Sequence, residues 1–140
     1  MSIYVLDTDH LSLHQMGHQS LRSRLLGTPA EKIFVTIISV EETFRGRLAQ
    51  IRRAYEAEDR VKAYYWFSQT LDYLCGFNIL NFDPHAEAYF QNLKAQKIRI
   101  GVQDLKIASI VLSNKGILVT RNKQDFKNVP SLRIEDWSFE

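Results

Sequence analysis

The sequence is poor in cysteine, proline and long apolar segments, and its charges nearly cancel. A single cysteine, Cys75, among 140 residues excludes an internal disulfide framework and a zinc site built from several cysteines. No apolar stretch approaches the roughly 18–20 uncharged residues that a membrane span requires. The first residues also lack the basic segment and cleavage site of a signal peptide. We therefore expect a soluble, cytoplasmic protein that does not associate with membranes.

The overall charge carries little information about partners. Eighteen basic and sixteen acidic residues give a net charge of +2, which neither requires nor excludes binding to nucleic acid. Hydrophobic residues at 45% and charged residues at 24% are ordinary for a globular protein, which excludes a disordered chain. The length matches one domain, and the sequence contains no repeat or linker. We expect a single domain over residues 1–140.

Short apolar runs alternate with helical patterns along the chain. Nearly continuous apolar runs, typical of strands buried on both faces, occupy 3–6, 33–38 and 116–120, with weaker candidates at 77–80 and 132–134. Helical spacing of apolar residues predicts helices at 11–18, 21–26, 40–53, 55–75, 84–97 and 103–113. This alternation predicts an α/β fold with a mainly parallel sheet wrapped by helices.

Acidic and amide side chains follow the predicted strands or begin neighbouring helices. They are Asp7, Asp9, Glu41, Glu42, Asp104, Asn122 and Asp125. Ligands of open α/β sheets bind outside the carboxyl ends of the strands. Oxygen-only ligands of this kind suit Mg²⁺ or Mn²⁺. Such an ion lowers the pKa of bound water and stabilises charge on a phosphoryl group.

Each of these residues also has a purely structural interpretation. The segment Ser39-Val40-Glu41-Glu42 has the pattern of a capping box. Asp7 or Asp9 is equally suited to cap the first helix, and Asp104 to complement a helix dipole. Spacing alone leaves the metal-site and capping interpretations equally open.

The acids lie in four segments, VLDTD at 5–9, ISVEETFRG at 38–46, IGVQDLKIA at 100–108 and LVTRNKQDF at 118–126. Together and in this order, these segments resemble the signature blocks of PIN-domain ribonucleases, above all the VapC-like toxins of bacterial toxin–antitoxin pairs. The ending VPSLRIEDW at 129–137 is similar to that branch as well. The resemblance implies a three-layer α/β/α PIN-like domain and a Mg²⁺-dependent endoribonuclease that hydrolyses RNA phosphodiester bonds as the toxin of such a pair.

The resemblance also implies which residues form the site. The acids at matching positions, implied as metal ligands and catalytic residues, are Asp7, Glu42, Asp104 and Asp125. The implied supporting residues are Asp9, Thr120 and Asn122. Glu42 rather than Glu41 matches the family glutamate because it stands four residues before Gly46. Asp9 stands where the family most often has asparagine. Whether Asn122 or Asp125 reaches the ion stays open.

The implied cofactor is Mg²⁺, with Mn²⁺ as a substitute, and the implied partners are RNA, a cognate antitoxin and a second copy of the chain. Two other functions remain as alternatives. One is a catalytically silent PIN-fold binding module, which the unusual Asp9 motivates. The other is a structure-specific DNA nuclease, although the chain lacks the insertions expected for threading a DNA flap.

A basic segment at 45–62 supplies candidates for contact with RNA, with Arg45 and Arg47 the foremost. A solvated helix face or an antitoxin-docking surface explains the same charges. The aromatic run at 64–67 indicates core or a dimer interface, with base stacking less favoured. Cys75 is predicted to fill the core.

Three histidines, His10, His14 and His18, are spaced by four residues, which places them on one face if the helix continues through them. This spacing is compatible with a zinc site. A polar surface face is the favoured interpretation, because Gly17 is expected to end the helix before His18. A position for His10 facing substrate near Asp7 stays open.

Overall fold

Five strands form one parallel sheet. In a computed structural model, which describes residues 2–139, the strands are β1 (Tyr4–Leu6), β2 (Ile33–Thr36), β3 (Asn78–Leu80), β4 (Ile117–Val119) and β5 (Arg133–Glu135). Their order in the sheet is β3-β2-β1-β4-β5, and every neighbouring pair is parallel. The predicted α/β class and mainly parallel sheet are confirmed, and the described sheet is parallel throughout.

Among the described residues, helices connect the strands, six of them close to the predicted positions, whereas the short helix at 123–126 was not predicted. They are α1 (Thr8–Gln15), α2 (Gln19–Leu26), α3 (Ile37–Arg53), α4 (Ala57–Cys75), α5 (Pro84–Ala95), α6 (Val102–Ser113) and α7 (Lys123–Phe126), with a 3₁₀ turn at Ala30–Lys32. Asp83 caps α5, since its Oδ1 accepts the Ala86 amide at 2.9 Å. Within residues 2–139, every helix is too short or too polar to serve as a transmembrane segment.

The largest local difference from the sequence prediction lies at the end of β2. The apolar pattern predicts a strand over 33–38 followed by a capping box that begins at Ser39. Instead β2 ends at Thr36, whose hydroxyl accepts the Ser39 amide at 3.1 Å and caps α3. The apolar residues Ile37 and Ile38 therefore form the first turn of the helix. The apolar pattern cannot distinguish a strand from a helix here, because Ile38 can be buried in the core in either conformation.

The sheet has an apolar core on each face. Successive side chains of β1 point to opposite faces, with Val5 in one core and Leu6 in the other. Leu118 and Val119 of β4 are divided between the two cores in the same way. Residues of α5, α6 and α7 complete the first core, and residues of α1, α2 and α4 complete the second. Two buried faces explain the continuous apolar runs, and they confirm the three-layer α/β/α architecture.

The C-terminal segment is anchored by a buried tryptophan. The Trp137 side chain is 1% exposed, and its ring centroid lies 5.1 Å from that of Tyr4. The Arg24 guanidinium lies 4.8 Å above the Trp137 ring. The indole N–H donates to Glu135 Oε1 at 2.9 Å, and the backbone N–H donates to His10 Nε2 at 3.2 Å. These contacts fasten the end of the chain to β1 and α1.

The three histidines do not form one helical face, because α1 ends at Gln15 and His18 caps α2. His10 is fully buried, so the predicted polar surface face is wrong for this residue. His14 Nδ1 lies 2.5 Å from the Tyr73 hydroxyl, and burial is the main cause that lowers the pKa of His14. The helical spacing is lost because the chain turns at 16–17.

Cys75 is exposed, and its predicted place in the core is therefore wrong. It ends α4, where the preceding residue, Leu74, occupies the buried position. In the aromatic run at 64–67, both tyrosines are exposed, at 57% and 64%. The next two rings contact α3: Arg47 lies 4.6 Å above the Trp66 ring, and Phe67 packs against Phe44.

Candidate active site

Acidic residues from separate elements converge at the carboxyl ends of β1 and β4. Asp7 follows β1, Glu42 lies in α3, and Asp104 lies in the first turn of α6. All three line one cavity of about 360 Å³. The chain passes from β1 through β2 to β3 on one side and returns through β4 to β5 on the other. The cavity therefore lies at a topological switch point, where open α/β sheets bind ligands.

Asp7 is held through both of its carboxylate oxygens. Oδ1 accepts the backbone N–H of His10 at 2.8 Å and caps α1, while Oδ2 accepts the Thr120 hydroxyl at 2.6 Å. The Thr120 oxygen accepts the backbone N–H of Asn122 at 2.9 Å in turn. Each carboxylate oxygen has further lone pairs, so capping and the Thr120 contact are compatible with binding of a cation by Asp7.

The two neighbouring glutamates of α3 have different surroundings. Glu42 lines the cavity, and its Oε1 accepts the Thr8 hydroxyl at 2.6 Å. Glu41 pairs instead with Arg45, whose Nη2 lies 2.8 Å from Glu41 Oε2. The side chains of Glu41 and Arg45 are outside the set that lines the cavity. Glu42 is therefore the glutamate that the fold brings to the other acids.

Asp104 lies close enough to three other carboxylates for their charges to act on it. Burial raises the pKa of Asp104 to about 6, and the neighbouring carboxylates of Glu42, Asp7 and Asp125 contribute to this shift. Like charges disfavour ionisation of a carboxyl group because the repulsion is weakly screened away from water. A cation at this position would relieve that repulsion.

Asn122 and Asp125 meet at the start of α7. Asn122 lines the cavity, and its Nδ2 donates to Asp125 Oδ2 at 3.1 Å. The side chain of Asn122 makes no capping hydrogen bond with α7. Asp125 influences Asp104 electrostatically, although it does not line the cavity. Of the two residues, Asn122 is the one that lines the cavity, and Asp125 contacts the Asn122 side chain.

Arg47 and Asp9 are both engaged by other side chains of the protein. Arg47 donates from Nε to Thr70 at 2.9 Å and packs between α3 and α4, beside a smaller pocket that Glu42 also lines. Asp9 forms an ion pair with Arg121, a residue that sequence analysis did not single out. The available signal was the place of Arg121 within the LVTRNKQDF block.

The donor set is chemically suited to a hard divalent cation. The cavity offers carboxylate, hydroxyl and amide oxygens, with no sulfur or imidazole among its described lining residues. Across residues 2–139, no three His, Cys, Asp or Glu side chains are arranged to close around one ion. Mg²⁺ does not require such a cage, because it usually keeps several waters and binds through one or two carboxylates.

The charge at Asp104 makes the stability of the metal-free protein depend on pH. Because its pKa is raised in the folded state, this carboxyl stabilises the fold at low pH, and the contribution is lost as the pH rises through about 6. In EDTA at pH 7.5, we expect Asp104→Asn to raise Tm by about 2–4 °C, because screening leaves on the order of 1 kcal/mol at a half-buried group. Near pH 4 the two proteins should melt together, and calorimetry at both values checks this. An equal gain at both pH values would contradict the electrostatic explanation.

Known proteins resemble the chain in sequence. Over 70 residues it is 37% identical to "Ribonuclease VapC2" from Haemophilus influenzae, covering 47% of this chain and 53% of that protein. Over 69 residues it is 29% identical to "tRNA(fMet)-specific endonuclease VapC" from Salmonella typhimurium, covering 46% of this chain and 52% of that protein. The chain therefore spans about half the length of the curated relatives it matches.

Solved structures resemble it over nearly its full length. VapBC2 from Rickettsia felis, bound to a DNA fragment from its promoter, superposes with a TM-score of 0.75 at 25% identity, covering 96% of this chain and 98% of that chain. DNA-bound VapBC from Salmonella typhimurium gives a TM-score of 0.79 at 20% identity, covering 98% and 99%. The resemblance to VapC-like PIN domains is thus confirmed. The family model for the PIN domain matches residues 4–132, and the chain therefore belongs to the PIN domain family.

Proposed function

We propose that the protein is a Mg²⁺-dependent endoribonuclease that hydrolyses RNA phosphodiester bonds and acts as the toxin of a toxin–antitoxin pair. The observation that carries this proposal is the convergence of Asp7, Glu42 and Asp104 on one cavity, with the pKa of Asp104 raised by burial and by its acidic neighbours. Relatives named as VapC ribonucleases support nuclease activity.

The residues that would hold the ion are Asp7, Glu42, Asp104 and Asp125, with Mn²⁺ as a substitute for Mg²⁺. When bound, the ion supplies an activated water and stabilises charge on the phosphoryl group. The protein orients its donors in advance: Thr120 fixes Asp7, and Thr8 fixes Glu42. Carboxylate ligands that are already oriented need no reorganisation when charge develops on the phosphate.

The proposed partners are RNA, a cognate antitoxin and a second copy of the chain, and the proposed site of action is the cytoplasm. Neighbours in structure are VapBC assemblies, which supports an antitoxin partner. The exposed rings of Tyr64 and Tyr65 on α4 are compatible with the dimer interface predicted for the aromatic run.

The decisive experiment is digestion of total cellular RNA by the purified protein, free of antitoxin, in Mg²⁺ and in EDTA. We expect discrete fragments in Mg²⁺ and none in EDTA. A branched DNA substrate is tested in parallel. Cleavage of the DNA alone would favour the structure-specific nuclease. The absence of both cleavage and calorimetric Mg²⁺ binding would favour a silent PIN-fold binding module.

A further inference from the structure

An ion pair between Arg121 and Asp9 lies at the mouth of the acidic cavity. Arg121 Nε lies 2.7 Å from Asp9 Oδ2, and Nη2 lies 3.2 Å from Oδ1. Both side chains line the cavity and are about half exposed, at 50% and 48%. Arg121 comes from the loop after β4 and Asp9 from the first turn of α1. The pair therefore links the ends of two adjacent strands at the entrance.

Arg121 is the one cation among the described residues that line this cavity. The same lining contains four carboxylates, those of Asp7, Asp9, Glu42 and Asp104. A polyanion that approaches these carboxylates is repelled, and the repulsion is strongest where water is displaced. A fixed positive charge at the entrance offsets part of that repulsion.

The guanidinium has donors left after it pairs with Asp9. Arginine carries five N–H donors, and the contacts with Asp9 engage one on Nε and one on Nη2. The remaining N–H groups belong to a half-exposed side chain. Arg121 can therefore donate to phosphate oxygens while Asp9 still holds it. A guanidinium that is already held loses less conformational entropy when it binds a phosphate.

Arginines elsewhere around the site are engaged differently. Arg47 is committed to Thr70 and to the Trp66 ring. Arg45 pairs with Glu41 outside the cavity lining. Among these three arginines, only Arg121 combines exposure, a fixed orientation and a place on the cavity wall.

We propose that Arg121 binds a backbone phosphate of the RNA beside the scissile bond, and that Asp9 positions the guanidinium for this contact. The inference rests on the proposed ribonuclease function and adds a substrate-binding residue to it. Arg121 acts on the bound strand both before and during the reaction, so its contribution belongs to binding rather than to the chemical step.

The test compares Arg121→Ala with wild type on one RNA substrate over a range of salt concentrations. We expect KM to rise about tenfold, as for loss of one charge-assisted contact, with kcat changed less than about twofold. The slope of log(kcat/KM) against log[salt] should become shallower by about 0.7, the value for one phosphate of a single strand. Arg121→Lys, which keeps the charge, should restore the slope and part of the KM.

Arg24→Ala is the matched control. Arg24 has nearly the same exposure as Arg121, 49%, and also pairs with a carboxylate, that of Glu135, but it does not line the cavity. We expect this variant to keep the wild-type KM and salt slope. If Arg121→Ala changes neither quantity, or changes kcat alone, the proposed phosphate contact is overturned although the ribonuclease function stands. If the wild type itself does not cleave RNA, the result contradicts the proposed ribonuclease function on which the phosphate contact rests.

The positioning role of Asp9 has a separate test through Asp9→Asn in two backgrounds. With Arg121 present, we expect KM to rise, because the guanidinium is no longer held. With Arg121→Ala, the same substitution should lower KM, because only the repulsion by Asp9 remains. A lower KM in both backgrounds would overturn the positioning role.

Discussion

Glu42→Gln should lower kcat/KM for RNA cleavage by at least about a hundredfold, whereas Glu41→Gln should leave it within about twofold. The effect exceeds the 10- to 100-fold typical of residues that only support a metal ligand, because Glu42 is proposed to bind the ion itself. Glu41 faces Arg45 outside the cavity lining. Glu41→Gln removes this exposed ion pair but keeps an Oε1 that can still accept the Gln103 side-chain N–H, which lies 3.0 Å away.

The pair of variants separates charge from structure. Glutamine keeps the size of Glu42 and an Oε1 that can still accept the Thr8 hydroxyl, so the position of α3 should be preserved. What disappears is one negative charge beside Asp104. We therefore expect unchanged circular dichroism together with weaker Mg²⁺ binding in calorimetry.

Cleavage of a single RNA substrate by wild type, Glu42→Gln and Glu41→Gln measures the contrast. A large loss in Glu41→Gln with little loss in Glu42→Gln would show that the site uses the other glutamate. Equal and small losses in both would remove α3 from the metal site altogether.

Trp137→Ala should lower the free energy of unfolding by about 3–5 kcal/mol, the range for truncation of a buried aromatic side chain. The indole is almost completely buried and contacts the ring of Tyr4, and its N–H donates to Glu135. Alanine would leave a cavity on the face covered by α1 and α2, because the surrounding side chains relax only partly.

Trp66, the other of the two tryptophans, provides the matched control. It is partly exposed on α4, beneath the Arg47 guanidinium, so Trp66→Ala should cost clearly less than Trp137→Ala. Urea denaturation followed by circular dichroism gives both values without relying on tryptophan fluorescence. A loss below about 1 kcal/mol for Trp137→Ala would mean that the C-terminal segment does not anchor the fold.

The Trp137 substitution should also disturb the site, because without the buried indole the backbone N–H at position 137 is no longer held against His10. The backbone N–H of Trp137 donates to His10 Nε2, and His10 Nδ1 lies 3.3 Å from Asp7 Oδ1. This contact with Asp7 is not a hydrogen bond, so the segment around Trp137 is linked to the first acid of the cavity by packing and proximity through a buried imidazole. Activity measured well below the melting temperature of the variant should still be reduced.

Local pattern was sufficient for the fold class. Strands buried on both faces, such as β1 and β4, consist of consecutive apolar residues whichever core each residue enters. The Asp83-Pro84 pair identified the start of α5 because its capping chemistry is local. Spacing alone left capping and metal binding equally open for the acids, and it was the resemblance of four sequence blocks to PIN-domain ribonucleases that nominated Asp7, Glu42 and Asp104.

Local pattern was insufficient wherever two conformations satisfy the same burial. The apolar pair Ile37 and Ile38 is compatible with either a strand or a helix, and the Thr36 cap selects the helix. Cys75 has the size and polarity of a core residue, but the last turn of α4 places it outside. A composition-based expectation cannot distinguish these outcomes.

The entrance of the cavity depends on the tertiary structure alone. Asp9 and Arg121 are 112 residues apart, and they meet because β1 and β4 are neighbours in the sheet. His10 looked like part of a polar surface, yet it is buried because Trp137 closes over it from the other end of the chain. Periodicity and capping report interactions within a few residues. Charge pairing between segments that follow two adjacent strands, as for Asp9 and Arg121, is set only by the order of the strands in the sheet.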